Sequence, residues 1–527
     1  MKRTSLCFLA LALALAHPSA DALTFGDKLS LHGYLQNQTG MFIEDSLQGG
    51  RFNDRGTLSM QRNTLWLEGH YAAASWLSAH TTLRGTLSSS LDADRDANIT
   101  PDSPTLNPRQ RMKSQFYDEM MLRKMVREAY VDLYPVDLLS FRLGRQQVAW
   151  GETGSFRMLD VINPIDNSWH FSSLESFEDV RLPLWMAKAM VAVPWLNGDL
   201  EGVFVPALDK KADYSNIDPP QESAWYVHIS PQDRGPANAF SVRNMRAIHH
   251  RPGERIEDSR FGARWKGGYD KLGYSLVWYQ NHMLSGTSER IDSQNYVRDV
   301  LTSGFNTSVF SRSPAELHYI YPKNTIFGGS VEYPFEYPTA TLARVEYVYE
   351  PHRLFPVSSQ KARLGNLLVL GPCPAACIPR ETFLNPVRRE QHGFALVLER
   401  QTFIPFLNPN ESFFVQAQLF ERWVPNLKSQ EMLLQASSYE DAPLKQWNTT
   451  AVLAVLGKYR HGTVLPQVVA AMDPEGSGFG QVSMGLVLGN YVRVTTGYNY
   501  FWGHSSFTGF GFLRDRDEVF IKTRLQF

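Results

Sequence analysis

The chain has 527 residues, of which 43% are hydrophobic and 12% aromatic, and its formal net charge is −1 at pH 7. A charge this close to zero excludes a strongly basic protein, and nothing in the composition argues for nucleic acid, so we expect no nucleic-acid partner. Beyond the N-terminus, no segment approaches the ~20 apolar residues of a membrane-spanning helix, and no linker rich in Pro, Gly or Ser divides the chain into domains.

Residues 1–22 have the layout of a secretory signal peptide. Lys2 and Arg3 form a positive region, Leu6 to Ala16 is an apolar run, and Ala20-Asp21-Ala22 gives the small-x-small pattern that precedes a cleavage site. The apolar run is too short for a membrane-spanning helix. We therefore predict that the protein is exported and that residues 23–527 form the mature chain.

Alternating apolar and polar residues mark strands along the whole mature chain. Such alternation over about 9–12 residues is typical of strands that cross a bilayer, with one face toward lipid. The segments are 29–43, 58–71, 74–88, 126–134, 138–149, 184–194, 199–206, 258–267, 271–282, 325–337, 339–350, 392–403, 411–423, 446–460, 462–473, 480–488, 491–502 and 515–527. We predict about eighteen strands, with sixteen as the alternative count.

Short and long connections alternate between these segments. The connections after even-numbered segments are short and carry turn residues, as in Leu196-Asn197-Gly198 and Gly489-Asn490. Those after odd-numbered segments are mostly long: 44–57, 89–125, 150–183, 207–257, 283–324, 351–391 and 424–445. This is the layout of periplasmic turns and extracellular loops. The sequence therefore predicts an all-β fold, a closed antiparallel transmembrane β-barrel, in preference to a soluble all-β protein.

The final strand supports the same fold and indicates a location. The chain ends on Phe527, the last residue of an amphipathic segment. In this it resembles bacterial outer-membrane β-barrels, whose final strand carries the signal read by the barrel-assembly machinery. We therefore expect the outer membrane of a Gram-negative bacterium, where outer-membrane lipid, lipopolysaccharide and that machinery would be its partners.

The strand faces opposite the apolar ones would line the lumen, and they carry charges of both signs with a basic excess. One hypothesis is a charged constriction that selects solutes, and the excess would then favour anionic or carboxylated ones. The alternative is a network of ion pairs that only stiffens the barrel. The basic residues that we place along the solute path are Arg84, Arg142, Arg264, Arg344, Arg493, Lys522 and Arg524.

One motif stands out, at the end of segment 138–149. It reads Gly-Arg-Gln-Gln-Val-Ala-Trp-Gly-Glu from residue 144, and Asn-Pro-Ile-Asp follows from residue 163. The Asn-Pro pair ends any local helix and begins a turn, which constrains the loop. Loop 150–183 is therefore a candidate plug or constriction, or else a structural lid. The motif residues expected near the solute path are Arg145, Trp150, Glu152, Arg157 and Asp166.

A G-R-Q-x-x-x-W-G-E stretch followed by N-P-x-D resembles a family of proteobacterial outer-membrane barrels known mainly as a domain of unknown function. The resemblance extends over the mature chain. Members are distantly similar to alginate-export-type and other substrate-specific channels, and they are associated with RND-type exporters. The resemblance therefore implies an RND-type exporter system as a partner and the handling of lipid-like or aromatic molecules.

Other signals are weaker. Residues 92–98 begin like a calcium-binding loop, but they lack its Gly and its closing Glu, so a solvated acidic loop is favoured. Cys373 and Cys377 remain after signal cleavage, and in an oxidising compartment we expect them to form a disulfide, with a metal pair as the alternative.

Three functions remain in competition. The first is an outer-membrane channel for small amphipathic or hydrophobic molecules, including anionic ones. The second is a structural barrel that docks a periplasmic exporter or another partner. The third is an outer-membrane lipase-type enzyme, although we find no Gly-x-Ser-x-Gly elbow, His-Glu-x-x-His motif or carboxylate pair. We therefore predict no enzymatic activity, no metal and no cofactor.

Overall fold

A computed structural model describes residues 23–45, 55–88, 125–208, 214–217, 224–225, 245–253, 255–292, 315–337, 339–358, 381–435, 443–505 and 509–527. The predicted signal peptide, the calcium-like segment 92–98, Cys373 and Cys377 lie outside these residues. The described residues contain no helix with the length and hydrophobicity of a membrane-spanning segment.

Strands account for most of the described chain. They are β1 (Leu23–Phe25), β2 (Leu29–Phe42), β3 (Leu58–Ala74), β4 (Leu77–Ser88), β5 (Val126–Val136), β6 (Leu139–Gln146), β7 (Leu184–Val193), β8 (Gly198–Val205), β9 (Met245–His250), β10 (Arg260–Tyr269), β11 (Leu272–His282), β12 (Thr287–Asp292), β13 (Ala315–Ile320), β14 (Lys323–Phe335), β15 (Thr341–Phe355), β16 (Glu381–Phe383), β17 (Val387–Thr402), β18 (Phe413–Trp423), β19 (Trp447–Leu456), β20 (Val464–Met472), β21 (Gly478–Leu488), β22 (Val492–Trp502) and β23 (Glu518–Gln526). One short α-helix, α1 (Phe177–Val180), follows the 3-10 turn Ser172–Leu174.

Nineteen strands join in one sheet, in which the three-residue β1 pairs with the start of β2. The other eighteen are long, and each pairs antiparallel with its neighbours. Pairing of β2 with β23, from Tyr34 opposite Gln526 to Phe42 opposite Glu518, closes the sheet. The predicted closed barrel of eighteen strands is confirmed, and the alternative of sixteen is wrong.

The two faces of the barrel wall follow the alternation in the sequence. In β21, Val482 is 57% exposed on the outer surface, whereas the adjacent Ser483 is 7% exposed and points inward. Leu453 and Val452 of β19 differ in the same way. The outside is thus an apolar surface suited to lipid. The short connections lie at one end, the turn end, and the long connections at the other, the loop end.

A second, four-stranded sheet lies at the loop end. It is ordered β16-β12-β13-β9, with β9 parallel to β13, and its strands come from three connections that we expected to contain only loops. Each strand is only three to six residues long. Strands this short show no reliable alternation, so the sequence pattern could not reveal them.

Candidate functional site

The connection between β6 and β7, residues 147–183, folds into the barrel, and we call it the inner loop. It contacts wall strands on opposite sides of the lumen, so it crosses the barrel. The contacting pairs, each given with its wall strand, are Trp150 with Glu201 of β8, Glu152 with Arg344 of β15, Ser155 with Gln418 of β18, Phe171 with Phe501 of β22, Glu175 with Lys522 of β23, and the Asp179 carbonyl with Arg84 of β4.

Trp150 anchors the beginning of the inner loop. Its indole Nε1 donates to Glu201 Oε1 at 2.5 Å, and its ring meets Tyr279 edge-on with centroids 5.8 Å apart. The Glu201 carboxylate also lies 3.3 Å from Arg264 Nη2 and 3.9 Å from Lys188 Nζ. The predicted path residue Arg264 is therefore held in a wall ion-pair network, and Trp150 is 1% exposed.

Glu346 of β15 holds the next part of the inner loop through its backbone. The buried carboxylate accepts hydrogen bonds from the N–H groups of Glu152, Thr153 (3.1 Å) and Leu159 (3.0 Å). Hydrogen bonds from backbone N–H groups to a carboxylate are charge-assisted and strong. One wall side chain thus fixes two separated stretches of the inner loop.

Arg344, on the same strand, is surrounded by carboxylates. Its Nε lies 3.6 Å from Glu152 Oε2 and 3.4 Å from Glu332 Oε2, and its Nη1 lies 2.8 Å from Glu399 Oε2. Glu152 also reaches Lys266, with Oε1 3.7 Å from Nζ. These two predicted path residues therefore tie the inner loop to the wall.

Aromatic side chains pack another part of the inner loop against the wall strands β18, β21 and β22. The Phe156 ring centroid lies 5.4 Å from that of Phe420 and 5.8 Å from that of Phe510. Phe171 packs edge-on against Phe479, with centroids 5.3 Å apart, and against Phe501 at 5.9 Å. Perpendicular ring contacts of this kind add to the free energy of apolar burial.

His170 of the inner loop lies between two carboxylates. Its Nε2 is 2.8 Å from Glu518 Oε1 on β23, and its Nδ1 is 2.8 Å from Glu175 Oε1 on the inner loop. Burial alone would lower the pKa of the imidazole, but the Glu518 and Glu175 carboxylates raise it to about 9. The side chain is therefore an imidazolium at neutral pH.

Glu175 completes this cluster. Burial alone would raise its pKa, but Lys522 and His170 bring it down to about 2. Lys522 Nζ lies 3.5 Å from Glu175 Oε2, and Gln38 Nε2 donates to Glu175 Oε1 at 2.9 Å. Inner loop and wall are thus joined here by paired charges.

Arginines of β4 and β5 hold the end of the inner loop. Arg84 Nη1 donates to the Asp179 carbonyl at 2.9 Å. Arg127 Nη2 donates to the carbonyls of Glu178 and Arg181, both at 2.7 Å. Arg84, a predicted path residue, therefore binds the backbone of the inner loop around α1, whose N-terminus is capped by the side chain of Ser176.

Two other motif residues shape the inner loop itself. Arg157 Nε donates to the Asp160 carbonyl at 2.6 Å and Nη2 donates to the Asn163 carbonyl at 2.5 Å, and burial lowers the pKa of its guanidinium. Asp166 is buried, and its Oδ1 accepts the backbone N–H of Ser168 at 3.0 Å. Both side chains therefore make hydrogen bonds to the backbone of the inner loop itself.

The remaining two predicted residues of this region lie in β6. Arg142 makes a two-pronged ion pair with Asp132, at 2.7 and 3.1 Å, and its guanidinium stacks 4.0 Å from the Tyr130 ring centroid. Arg145 is half-buried, lies in register with Ala129 and Trp185, and has a buried Nε.

Two cavities extend from the turn end to the underside of the inner loop, along β17 to β23. The loop-side cavity, about 340 Å³, is lined by His170, Glu175, Phe520, Lys522 and Arg524 among others. The turn-side cavity, about 630 Å³, is lined partly by the connections between β17 and β18 and between β19 and β20. The residues that line both cavities, and so connect them, are Gln467, Ser483, Arg493 and Thr495.

Arg493, Lys522 and Arg524 thus lie together at one cavity. Most of the other predicted residues hold the inner loop or form ion pairs. His170, Glu175, Glu201 and Glu518 are not among the site residues predicted from the sequence. Glu518 shares a strand face with Lys522, so a strict count of alternate residues would have found it. His170 and Glu175 carry no local signal, because their partners are distant in the chain.

A model of the family described as "Protein of unknown function (DUF1302)" matches residues 4–527. The chain belongs to this family. No curated protein matches the sequence.

Several solved structures are similar to this family member. OccAB3 from Acinetobacter baumannii matches with a TM-score of 0.43 and 8% identity over 95% of this chain and 100% of its own. OccK8 (OprE) from Pseudomonas aeruginosa has a TM-score of 0.41 and 8% identity over 95% and 97%. The anion-selective porin from Comamonas acidovorans has a TM-score of 0.37 and 8% identity over 95% and 99%.

Proposed function

We propose that the protein is a channel in the outer membrane of a Gram-negative bacterium, for small amphipathic or hydrophobic molecules, anionic ones included. The observation that carries this proposal is the pair of connected cavities, which leads from the turn end to the inner loop. In the proposed orientation the turn end faces the periplasm and the loop end faces the outside.

The inner loop is the proposed constriction. On the side of β8 and β15 it is held by Trp150 and by the three hydrogen bonds to Glu346. On the side of the cavities, His170 and Glu175 hold it to β23 by charge pairs. A solute with polar groups can pair with these charges in place of their present partners. We therefore propose that a path for the solute opens along β20 to β23, while the inner loop stays anchored on the side of β8 and β15.

Wall charges have two different roles in this proposal. Arg142, Arg264 and Arg344 are paired with carboxylates, which favours a stiffening role for them. Arg493, Lys522 and Arg524 line the loop-side cavity and would act on the solute. Passage by diffusion requires no cofactor and no chemical step, and we assign the protein neither.

Planar-bilayer recording tests the proposal. The purified wild-type protein is compared with a variant in which residues 152–176 are replaced by a short Gly-Ser linker. We expect small conductance steps for the wild type and larger steps for the variant. Heat-modifiable migration of both proteins in gels controls for barrel folding. Absence of conductance in both folded proteins would contradict the channel proposal.

A second candidate is a structural barrel that docks a periplasmic exporter, such as the RND-type system that the family resemblance implies. The observation that favours it is the attachment of the inner loop on opposite sides of the lumen, because a barrel used for docking has no need of an open path. A stable complex with a periplasmic partner in crosslinking experiments, together with zero conductance, would favour this candidate over the channel.

A further inference from the structure

We propose that the loop-side cavity contains a binding site for the carboxylate of an amphipathic organic anion, formed by Arg493 and Arg524. This site would define the class of solute that the cavities accept. Its role in transport rests on the proposed channel function. The site is inferred from charge placement, from the partners of each charge and from the apolar lining nearby.

Two arginines lie directly opposite each other on the inner wall. Arg493 of β22 is in register with Arg524 of β23, and the next inward pair is Thr495 with Lys522. Like charges at directly opposed positions of an antiparallel pair destabilise it. Three cations at adjacent positions therefore form a surface that a bound anion would stabilise.

Among the described residues, only one of these three cations is paired with a carboxylate, so positive charge remains in the cavity. Lys522 pairs with Glu175. Arg524 Nε donates to the neutral Gln36 Oε1 at 2.9 Å, and its guanidinium lies 4.0 Å from the Tyr34 ring centroid. Within the part of the chain that the structure describes, the exposed Arg493 guanidinium makes no hydrogen bond or ion pair.

The carboxylates near the cavity already have partners. Glu175 lies between His170 and Lys522. Glu518 accepts from Ser59 Oγ and from Asn499 Nδ2 (2.7 Å) and pairs with His170. Both side chains are nearly fully buried, at 2% and 1% exposure. They therefore balance His170 and Lys522, and the charges of Arg493 and Arg524 remain for a ligand.

Apolar side chains lie within reach of the same point. Phe520 lines the loop-side cavity. The turn-side cavity meets it at Arg493 and Thr495, and its lining combines Phe414, Leu456 and Leu465 with polar residues that include the oppositely charged Glu411 and Lys458. A headgroup at the two arginines would thus leave an aliphatic tail against apolar wall. The volumes of about 340 and 630 Å³ fall in the range of small-molecule sites.

The chemistry of arginine narrows the class of headgroup. A guanidinium presents several N–H donors in a planar fork that matches the two oxygens of a carboxylate. Two such forks on neighbouring strands suit one carboxylate, and the apolar lining suits a medium-length aliphatic chain. A purely hydrophobic solute would leave both charges without a partner, and an organic cation would be repelled.

The test is octanoate binding to the full-length purified protein in nonionic detergent, measured by isothermal titration calorimetry. The comparators are octanol, octyltrimethylammonium and inorganic phosphate. We expect octanoate to bind at least about tenfold more tightly than each comparator, and R493Q and R524Q each to weaken its binding by roughly tenfold or more. R493K, which keeps the charge, should lose less affinity than R493Q.

Arg460 offers a matched control, because it is exposed in the turn between β19 and β20 and lines neither cavity. R460Q should bind octanoate like the wild type. Equal affinity for octanol or for phosphate, or unchanged octanoate affinity in folded R493Q and R524Q, would overturn the site. Octanoate binding without bilayer conductance would contradict the channel function but not the carboxylate site. Conductance without octanoate binding would contradict the carboxylate site but not the channel function.

Discussion

His170 Nε2 lies 2.8 Å from Glu518 Oε1, across 348 positions of the sequence, and so joins the inner loop to the first residue of the last strand. Neither side chain is exposed by more than 3%. Because a buried charge requires a partner, displacement of the inner loop at this point must separate an imidazolium from the Glu518 carboxylate of the wall. We therefore expect pH to act on the proposed constriction at this pair.

The first prediction concerns pH. The pKa of His170 is raised from 6.5 to about 9, so the stabilisation that its protonation contributes is complete below pH ~6.5 and is lost as the pH rises through about 9. The pKa of Glu175 is lowered to about 2, so its contribution is present above pH ~4.5 and is lost only near pH 2. We expect bilayer conductance to rise between pH 7 and pH 9.5.

The variant His170→Gln separates this effect from general titration of the wall. It leaves the buried Glu518 without its cation, whereas Glu175 keeps Lys522. Removing one partner of a buried pair costs about 3–5 kcal/mol, so conductance should be high already at pH 7 and nearly independent of pH up to 9.5. A variant that keeps the rise in conductance with pH would show that a group other than His170 controls the constriction.

The second prediction concerns Glu346, whose carboxylate accepts three backbone N–H groups of the inner loop. Glu346→Gln replaces one acceptor oxygen by an NH2 donor that faces other donors. We expect the inner loop to be held less tightly by about 1–3 kcal/mol, measured as faster hydrogen exchange of its amides. Glu332→Gln, on the neighbouring strand, removes only an ion pair of Arg344 and should leave that exchange nearly unchanged.

The third prediction concerns Trp150. Trp150→Phe keeps the apolar ring but removes the donor to Glu201, so the buried carboxylate loses one hydrogen bond. The free energy of unfolding in lipid vesicles, measured with urea, should fall by about 1–3 kcal/mol. Trp185→Phe changes an outward tryptophan of β7 that is 47% exposed, and it should shift that free energy by less than ~0.5 kcal/mol. Equal effects of the two changes would show that the indole N–H is not an anchor.

The fourth prediction concerns the close approach of the inner loop to two wall glycines. A Cβ at Gly328 would lie 2.5 Å from Leu159 Cδ2 and 2.6 Å from the Tyr347 carbonyl oxygen, whereas at Gly393 it would meet the flexible end of Met158, at 2.6 Å. Backbone cannot move aside as a methionine can. Gly328→Ala should therefore destabilise the protein by about 1–3 kcal/mol in urea unfolding, and Gly393→Ala by clearly less. A larger destabilisation by Gly393→Ala than by Gly328→Ala would contradict the close packing of Leu159 against Gly328.

The barrel wall could be predicted from the sequence because each strand carries its own signal. Segment 491–502 was predicted from alternation alone, and β22 runs from Val492 to Trp502. The position of Lys522 and Arg524 on the inner face followed from the same period. The sequence predicts that segment 150–183 enters the barrel or covers it, but nothing in the sequence distinguishes Trp150, which anchors the loop, from Arg493, which lines a cavity.

What the sequence determined by itself is the barrel: the number of strands, the face that each residue takes, and the alternation of turns and loops. These properties are local, because period two and turn chemistry repeat every few residues. Only the tertiary structure decided where the inner loop lies and which charges stay unpaired. Glu346 meets Glu152 across 194 positions and His170 meets Glu518 across 348, and contacts at such separations leave no trace in a local pattern.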